Sequence, residues 1–185
     1  GCTVILKPSS QTPLSAIKLV QLVSDYLPNG ILNLISTNQD EIVGEILSSH
    51  EDIDLLTFTG STETGQKIIR NSSSSVKKLI LELGGSAPFI VFKDCDIDKT
   101  IESIINAKFR NAGQTCISVN RLYIEKGIED TFINKLVAKV KKIKVGDGFK
   151  SGVEMGPLIN QRAINKVEEH VTDAVLKGAK VITGG

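Results

Sequence analysis

Cys116 closes the run Ala107-Lys108-Phe109-Arg110-Asn111-Ala112-Gly113-Gln114-Thr115-Cys116, just past a glycine that marks the end of a helical pattern. A thiol at such a place can face a substrate while rigid structure holds it, and its thiolate attacks carbonyl carbon. Upstream, a strand-like run ends in Glu82-Leu83-Gly84-Gly85, so a carboxylate stands where the chain turns sharply. One nucleophile and one potential base, both at element ends, is what two-step acyl chemistry requires. Each residue also has an ordinary reading. Free cysteine is among the most buried residue types, and a strand-end carboxylate is commonly solvated. Arg110, six residues before Cys116, suits either an acidic substrate or a surface carboxylate near a helix end.

Two further motifs carry anion-binding chemistry. Gly60-Ser61-Thr62-Glu63-Thr64-Gly65 lies between a strand pattern and a helix pattern. Unpaired N–H groups and the positive end of the helix dipole favour a phosphate there. Glycine lets the backbone approach an anion closely, and the Ser61 hydroxyl adds a donor. The spacing departs from the G-x-G-x-x-G fingerprint, and a tight turn with a serine cap accounts for it equally. Lys7-Pro8-Ser9-Ser10 follows the first strand pattern, at the carboxyl end where open α/β sheets bind ligands. Lys7 supplies positive charge and Ser10 a neutral hydroxyl. An acidic residue in that run would favour a free ribose diol and repel a 2′-phosphate; the run holds none.

The elements that must position these groups alternate. Strand patterns cover 2–6, 31–35, 55–59 and 78–83, separated by helical patterns that open at Thr12-Pro13 and then cover 41–48 and 62–71. The serines of 72–75 read as a solvated loop. This order implies crossover units and a parallel sheet. Gly84-Gly85 marks a boundary, so 1–83 and 84–185 are expected as two parts. In the second part, strands at 88–92, 118–125 and 180–183 alternate with helices at 98–111, 129–143 and 160–177, and a glycine-rich loop holds Gly146, Gly148, Gly152 and Gly156. No fixed-period repeat is present. The fold class is α/β in two parts.

Composition excludes several classes. The chain has 185 residues, 41% hydrophobic and 23% charged, enough to bury a core. Its 22 basic and 21 acidic residues leave a net charge of +1, with no basic footprint for nucleic acid or a membrane surface. Aromatics, at 4%, are too few for base stacking. No stretch reaches the length of a membrane span. Three spaced cysteines and two isolated histidines indicate neither a disulfide framework nor a metal site. A reducing, cytoplasmic compartment is the default expectation. The chain starts inside an apolar strand pattern without a methionine, which suggests a piece of a longer protein.

Taken together, Lys7-Pro8, Phe58-Thr59-Gly60-Ser61-Thr62 with Gly65, Leu81-Glu82-Leu83-Gly84-Gly85 and Phe109-x-Asn111-x-Gly113-Gln114-x-Cys116 resemble the aldehyde dehydrogenase superfamily in order and spacing. Gly156-Pro157-Leu158-Ile159 and the final Gly184-Gly185 are similar to it as well, so the resemblance runs end to end. The segments 108–116 and 7–13 look most like its succinate-semialdehyde dehydrogenases. The resemblance implies that residues 1–83 are the C-terminal part of a Rossmann-like, NAD(P)-binding domain and 84–185 the start of an α/β catalytic domain.

The same resemblance implies site roles. Cys116 is the nucleophile and its backbone N–H an oxyanion donor, while Glu82, partly buried, activates water against the thioester. A carboxylate at 82 argues against the coenzyme-A-acylating branch. Lys7, Pro8, Ser9 and Ser10 line the adenosine ribose, Gly60 and Ser61 hold the pyrophosphate, and Leu83 lies against the nicotinamide. Arg110 grips the distal carboxylate of a short aldehyde acid such as succinate semialdehyde. Ser10 in place of an acidic residue leads to the expectation that NADP is accepted alongside NAD. Partners are a small-molecule aldehyde and further copies of the parent chain, with no nucleic acid, membrane or metal. Glutarate semialdehyde or a neutral aldehyde is the alternative substrate, and a non-catalytic module the alternative class. Ser118 stands where some members carry a second, redox-active cysteine, so no intramolecular switch is expected. The family's upstream oxyanion asparagine, its downstream ribose glutamate and its oligomerisation strands have no counterpart in this chain, so the 185 residues alone are expected to be inactive.

Overall fold

The computed structural model describes residues 1–184, which fall into two compact units, 1–83 and 84 onward. The first unit runs β1 (Val4–Leu6), α1 (Leu14–Ser24), β2 (Leu32–Leu34), α2 (Asp40–Ser49), β3 (Leu55–Thr59), α3 (Thr62–Ser72) and β4 (Lys78–Glu82). Strands β1 and β2 pair in parallel with Val4 opposite Leu32, and β3 and β4 pair in parallel with Thr59 opposite Glu82. A strand followed by a helix and a parallel strand is the crossover that the alternation implies. The single parallel sheet is not continuous, however. Among the described residues, ladders join only sequence-adjacent strands into three two-stranded sheets. A crossover fixes the direction of its own two strands and leaves open which other strand lies beside them.

Helix starts follow local chemistry. Ser61 caps α3 by accepting from the Thr64 N–H at 3.1 Å. Asp96 caps the next unit's first helix by accepting from the Lys99 N–H at 3.2 Å. Pro13 stands at the cap of α1, so the helix starts one residue later than the Thr12-Pro13 reading has it, and no side chain caps it. Helices α2 and α3 meet through polar groups: Ser72 donates to the Ser48 carbonyl at 3.0 Å, and Asn71 to the Ser48 hydroxyl at 3.1 Å.

The second unit runs β5 (Ala87–Val91), α4 (Ile97–Phe109), a 3₁₀ turn (Arg110–Gly113), β6 (Val119–Ile124), α5 (Glu129–Val140) and α6 (Gln161–Leu176). Strands β5 and β6 are parallel, with a register shift between Ala87 and Pro88, where proline cannot donate to a ladder. The core is Val91, Ile101, Ile104 and Phe132, packed with Phe89, Leu122 and Ile124. Helix α4 therefore lies fixed on its strands, and the chain leaving it starts from a rigid point. The strand expected at 180–183 does not form. Val181 and Ile182 are more than half exposed, and a strand exists only when a neighbour completes its ladder. Gly185 lies outside the described residues. No helix among those described is long and apolar enough to cross a membrane.

Candidate active site

The Cys116 loop begins where α4 stops. Helix α4 ends at Phe109, two residues earlier than its sequence pattern, because Asn111, Ala112 and Gly113 take φ of 53°, 55° and 77° in succession. Left-handed backbone breaks a right-handed helix; asparagine and glycine adopt it readily, alanine at a cost of about 1–2 kcal/mol. Gln114 fastens this turn. Its side-chain amide donates to the Asn111 carbonyl at 2.9 Å, its side-chain oxygen accepts from the Ile159 N–H at 2.9 Å, and the Asn111 amide returns a bond to the Gln114 carbonyl at 3.2 Å.

Cys116 follows, exposed and free. Its N–H donates to no group among the described residues. Beyond it, buried Ser118 donates to the Lys108 carbonyl at 3.3 Å and ties the loop back to α4. On the other side, a Cβ added at Gly85 would meet the Cys116 carbonyl oxygen at 3.2 Å. Asn120 and Arg121 hold the same stretch by donating to the carbonyls of Gly85 and Ser86 at 3.1 Å and 2.7 Å. Arg110 is exposed, at the first position of the turn.

In the first unit, the sequence-derived residues all lie where a parallel strand ends. The Gly60 N–H donates to the Glu82 carbonyl at 3.0 Å, so the ends of β3 and β4 are joined there. The Phe58 ring covers Gly60 so closely that a Cβ would come within 2.4 Å of it. A Cβ on Gly65 would meet Leu83 Cδ2 at 2.7 Å, so α3 starts against the residue that follows β4. Leu83 is half-buried, whereas Glu82 is exposed. The partial burial expected for Glu82 as a base is thus absent from the chain described.

One residue escaped the sequence reading. Asp40, the first residue of α2, accepts from Lys7 Nζ at 2.5 Å on one oxygen and from the Ser10 hydroxyl on the other. The Lys7 ammonium and the Ser10 hydroxyl together hold the Asp40 carboxyl below its ordinary value of 3.8. An acidic group does therefore stand at Lys7–Ser10, delivered from 30 residues downstream. Its signal was its position: an acid opening the helix after β2, the strand beside β1.

The whole chain, residues 1–185, matches the aldehyde dehydrogenase family. The chain belongs to that family. It is 48% identical over its full length to a glutarate-semialdehyde dehydrogenase of Pseudomonas aeruginosa and 49% identical to an NADP(+) succinate-semialdehyde dehydrogenase of Escherichia coli. It spans 38% of the length of each. A solved betaine aldehyde dehydrogenase from Staphylococcus aureus, in complex with NAD+, superposes with a TM-score of 0.96 at 38% identity, covering 100% of this chain and 37% of that one. The α/β fold is therefore that of aldehyde dehydrogenases.

Proposed function

We propose that the complete protein oxidises a short semialdehyde, succinate semialdehyde first, to the dicarboxylic acid with NAD or NADP. The observation that carries this reading is the Cys116 loop: an exposed thiol beside an N–H with no acceptor among the described residues, on a turn that Gln114 and Ser118 tie down. Preorganised donors at a developing oxyanion are the largest single contribution in acyl-transfer catalysis.

The Cys116 thiolate adds to the aldehyde carbon, and the Cys116 N–H steadies the resulting oxyanion. A nicotinamide dinucleotide, when bound, supplies the acceptor for the hydride whose loss converts this adduct to a thioester. Glu82 takes a proton from water as the oxygen attacks the thioester carbon, the C–S bond breaks, and the thiolate returns. The net change is aldehyde plus water to acid, with two electrons passed to the cofactor and one proton released. The first unit's residues fit such a cofactor. Ser61 opens α3 with a neutral cap, leaving the start of that helix available to a pyrophosphate, and Gly60 brings backbone close to it. Lys7, Pro8, Ser9 and Ser10 take the adenosine ribose, and Leu83 the nicotinamide face. Arg110 binds the distal carboxylate, where a guanidinium forms two parallel bonds.

Glutarate semialdehyde is the second reading, favoured by the 48% identity to a relative named for it. The experiment is turnover of the full-length enzyme on succinate, glutarate and betaine aldehydes with both cofactors. Cys116→Ser should abolish the reaction. Glu82→Gln should give one burst of reduced cofactor per active site and no steady state. Arg110→Ala should raise KM for the acid aldehydes alone. Retained steady-state turnover in Cys116→Ser would end the proposal.

A further inference from the structure

Asp40 belongs to no motif through which the chain resembles its family, yet it bonds to two of the polar side chains assigned to the adenosine ribose, Lys7 and Ser10. Lys7 Nζ lies 2.5 Å from one carboxylate oxygen, and Ser10 donates to the other. The carboxylate also opens α2, where the N-cap Gln39 offers no side-chain bond to the helix. A helix start favours an anion, and here the chain supplies its own. We propose that Asp40 is the residue that makes this protein select NAD over NADP, by accepting from the ribose diol and repelling a 2′-phosphate. The inference rests on the reading of Lys7 and Ser10 as ribose contacts.

Charge bookkeeping favours it. A 2′-phosphate carries up to two negative charges and needs unspent cations. The Lys7 ammonium is engaged by Asp40 and by the Pro8 carbonyl at 3.1 Å. The next residue, Glu41, adds a second carboxylate to the same turn, and its partner Lys67, at 3.1 Å, is shared with Glu63. A phosphate arriving beside Asp40 must therefore displace the carboxylate or share Lys7 with it. A ribose diol has the opposite need, because its hydroxyls donate and an ionised carboxylate only accepts. Ser10, whose neutral side chain alone suggested tolerance of NADP, serves instead as a donor that orients Asp40.

The test is equilibrium binding of NAD+ and NADP+ to the full-length protein by calorimetry, with 5′-AMP and 2′,5′-ADP as minimal probes. The wild type should bind NAD+ about tenfold or more tighter, since like charges a few ångströms apart in a half-exposed site still repel measurably. Asp40→Asn keeps the shape and removes the charge; it should cut the NAD+/NADP+ ratio about tenfold, mainly by tightening NADP+. Asp40→Ala should do the same, and melting curves check that both variants fold. Wild-type binding of NADP+ equal to or tighter than NAD+ overturns the proposal, as does a ratio that Asp40→Asn moves less than about twofold. Binding of neither dinucleotide overturns both this inference and the functional reading. The expected ratio without any aldehyde oxidation leaves Asp40 in its role and ends the functional reading alone.

Discussion

Gly85 offers the sharpest test of how the thiol is positioned. Its backbone is not left-handed, so an added side chain meets no dihedral penalty and only space decides. That space is closed by the Cys116 carbonyl oxygen, 3.2 Å from where a Cβ would stand. Ordinary contact begins at 3.4 Å, so Gly85→Ala must push the carbonyl by at least 0.2 Å. The loop has little room to yield, because the Ser118 N–H holds the Thr115 carbonyl at 3.0 Å and Asn120 holds Gly85 itself. A misplacement of 1 Å near the reacting atoms costs about a hundredfold in rate. Scaled to a few tenths of an ångström, Gly85→Ala should lose about threefold to tenfold in kcat/KM. Gly85→Val, with two further methyl groups at the same contact, should lose more.

The assay is the burst of reduced cofactor in the full-length enzyme, paired with the rate of Cys116 alkylation by iodoacetamide at neutral pH. Both should fall in the order glycine, alanine, valine while melting temperatures change little. If both variants react at the wild-type rate, the 3.2 Å contact does not govern the thiol. A lowered melting temperature with unchanged thiol reactivity would make Gly85 a folding residue only.

Gly65→Ala tests the packing of α3 on Leu83: the new methyl falls 2.7 Å and 2.9 Å from the two Leu83 methyls. Leu83 must rotate, and the dissociation constant for the dinucleotide should rise several-fold at a stability cost of about 1 kcal/mol; unchanged affinity would remove Leu83 from the cofactor site. Asp40 makes an acid-limb prediction. Its folded pKa is lowered, first by the Lys7 bond and then by Ser10, so its contribution is complete above 3.8 and fades as pH falls through the folded value. The side chain is 44% exposed, which limits that contribution to at most about 1 kcal/mol. Melting curves of wild type and Asp40→Asn should differ at neutral pH and converge below 3.8; a constant gap down to strong acid would contradict the ion pair.

What the sequence revealed and what it hid divide along a physical line. Helix periodicity and the Ser61 cap are local signals, and α3 starts where the pattern puts it. Strand partners are not local. Residues 180–183 carry a strand's composition without a neighbour to pair with, and the apolar alternation says nothing about whether β2 lies beside β3. The turn before Cys116 was half legible. Gly113 marked the stop, but Ala112 in left-handed backbone has no sequence signal, since only the surrounding bonds of Gln114 and Asn111 hold it there. Asp40 was hidden for the reason strand pairing is hidden: β1 and β2 had to align before α2 could bring its first residue to Lys7.

The two helix starts at these strand ends now read as a division of labour. Helix α3 begins with the neutral Ser61, which satisfies one N–H and adds no charge, and its one early acid, Glu63, pairs with Lys67 at 3.7 Å. That end keeps its positive potential for an incoming anion. Helix α2 begins with Asp40 and Glu41, so its potential is spent within the chain before any ligand arrives. A dinucleotide carries its obligatory negative charge on the pyrophosphate and its optional charge on the adenosine ribose. On the reading proposed above, leaving one helix start open and filling the other with the chain's own carboxylate is what accepts the first charge and refuses the second. Lys7 serves the α2 end of this arrangement, because without its ammonium the Asp40 carboxylate would be held only by a hydroxyl and a helix dipole.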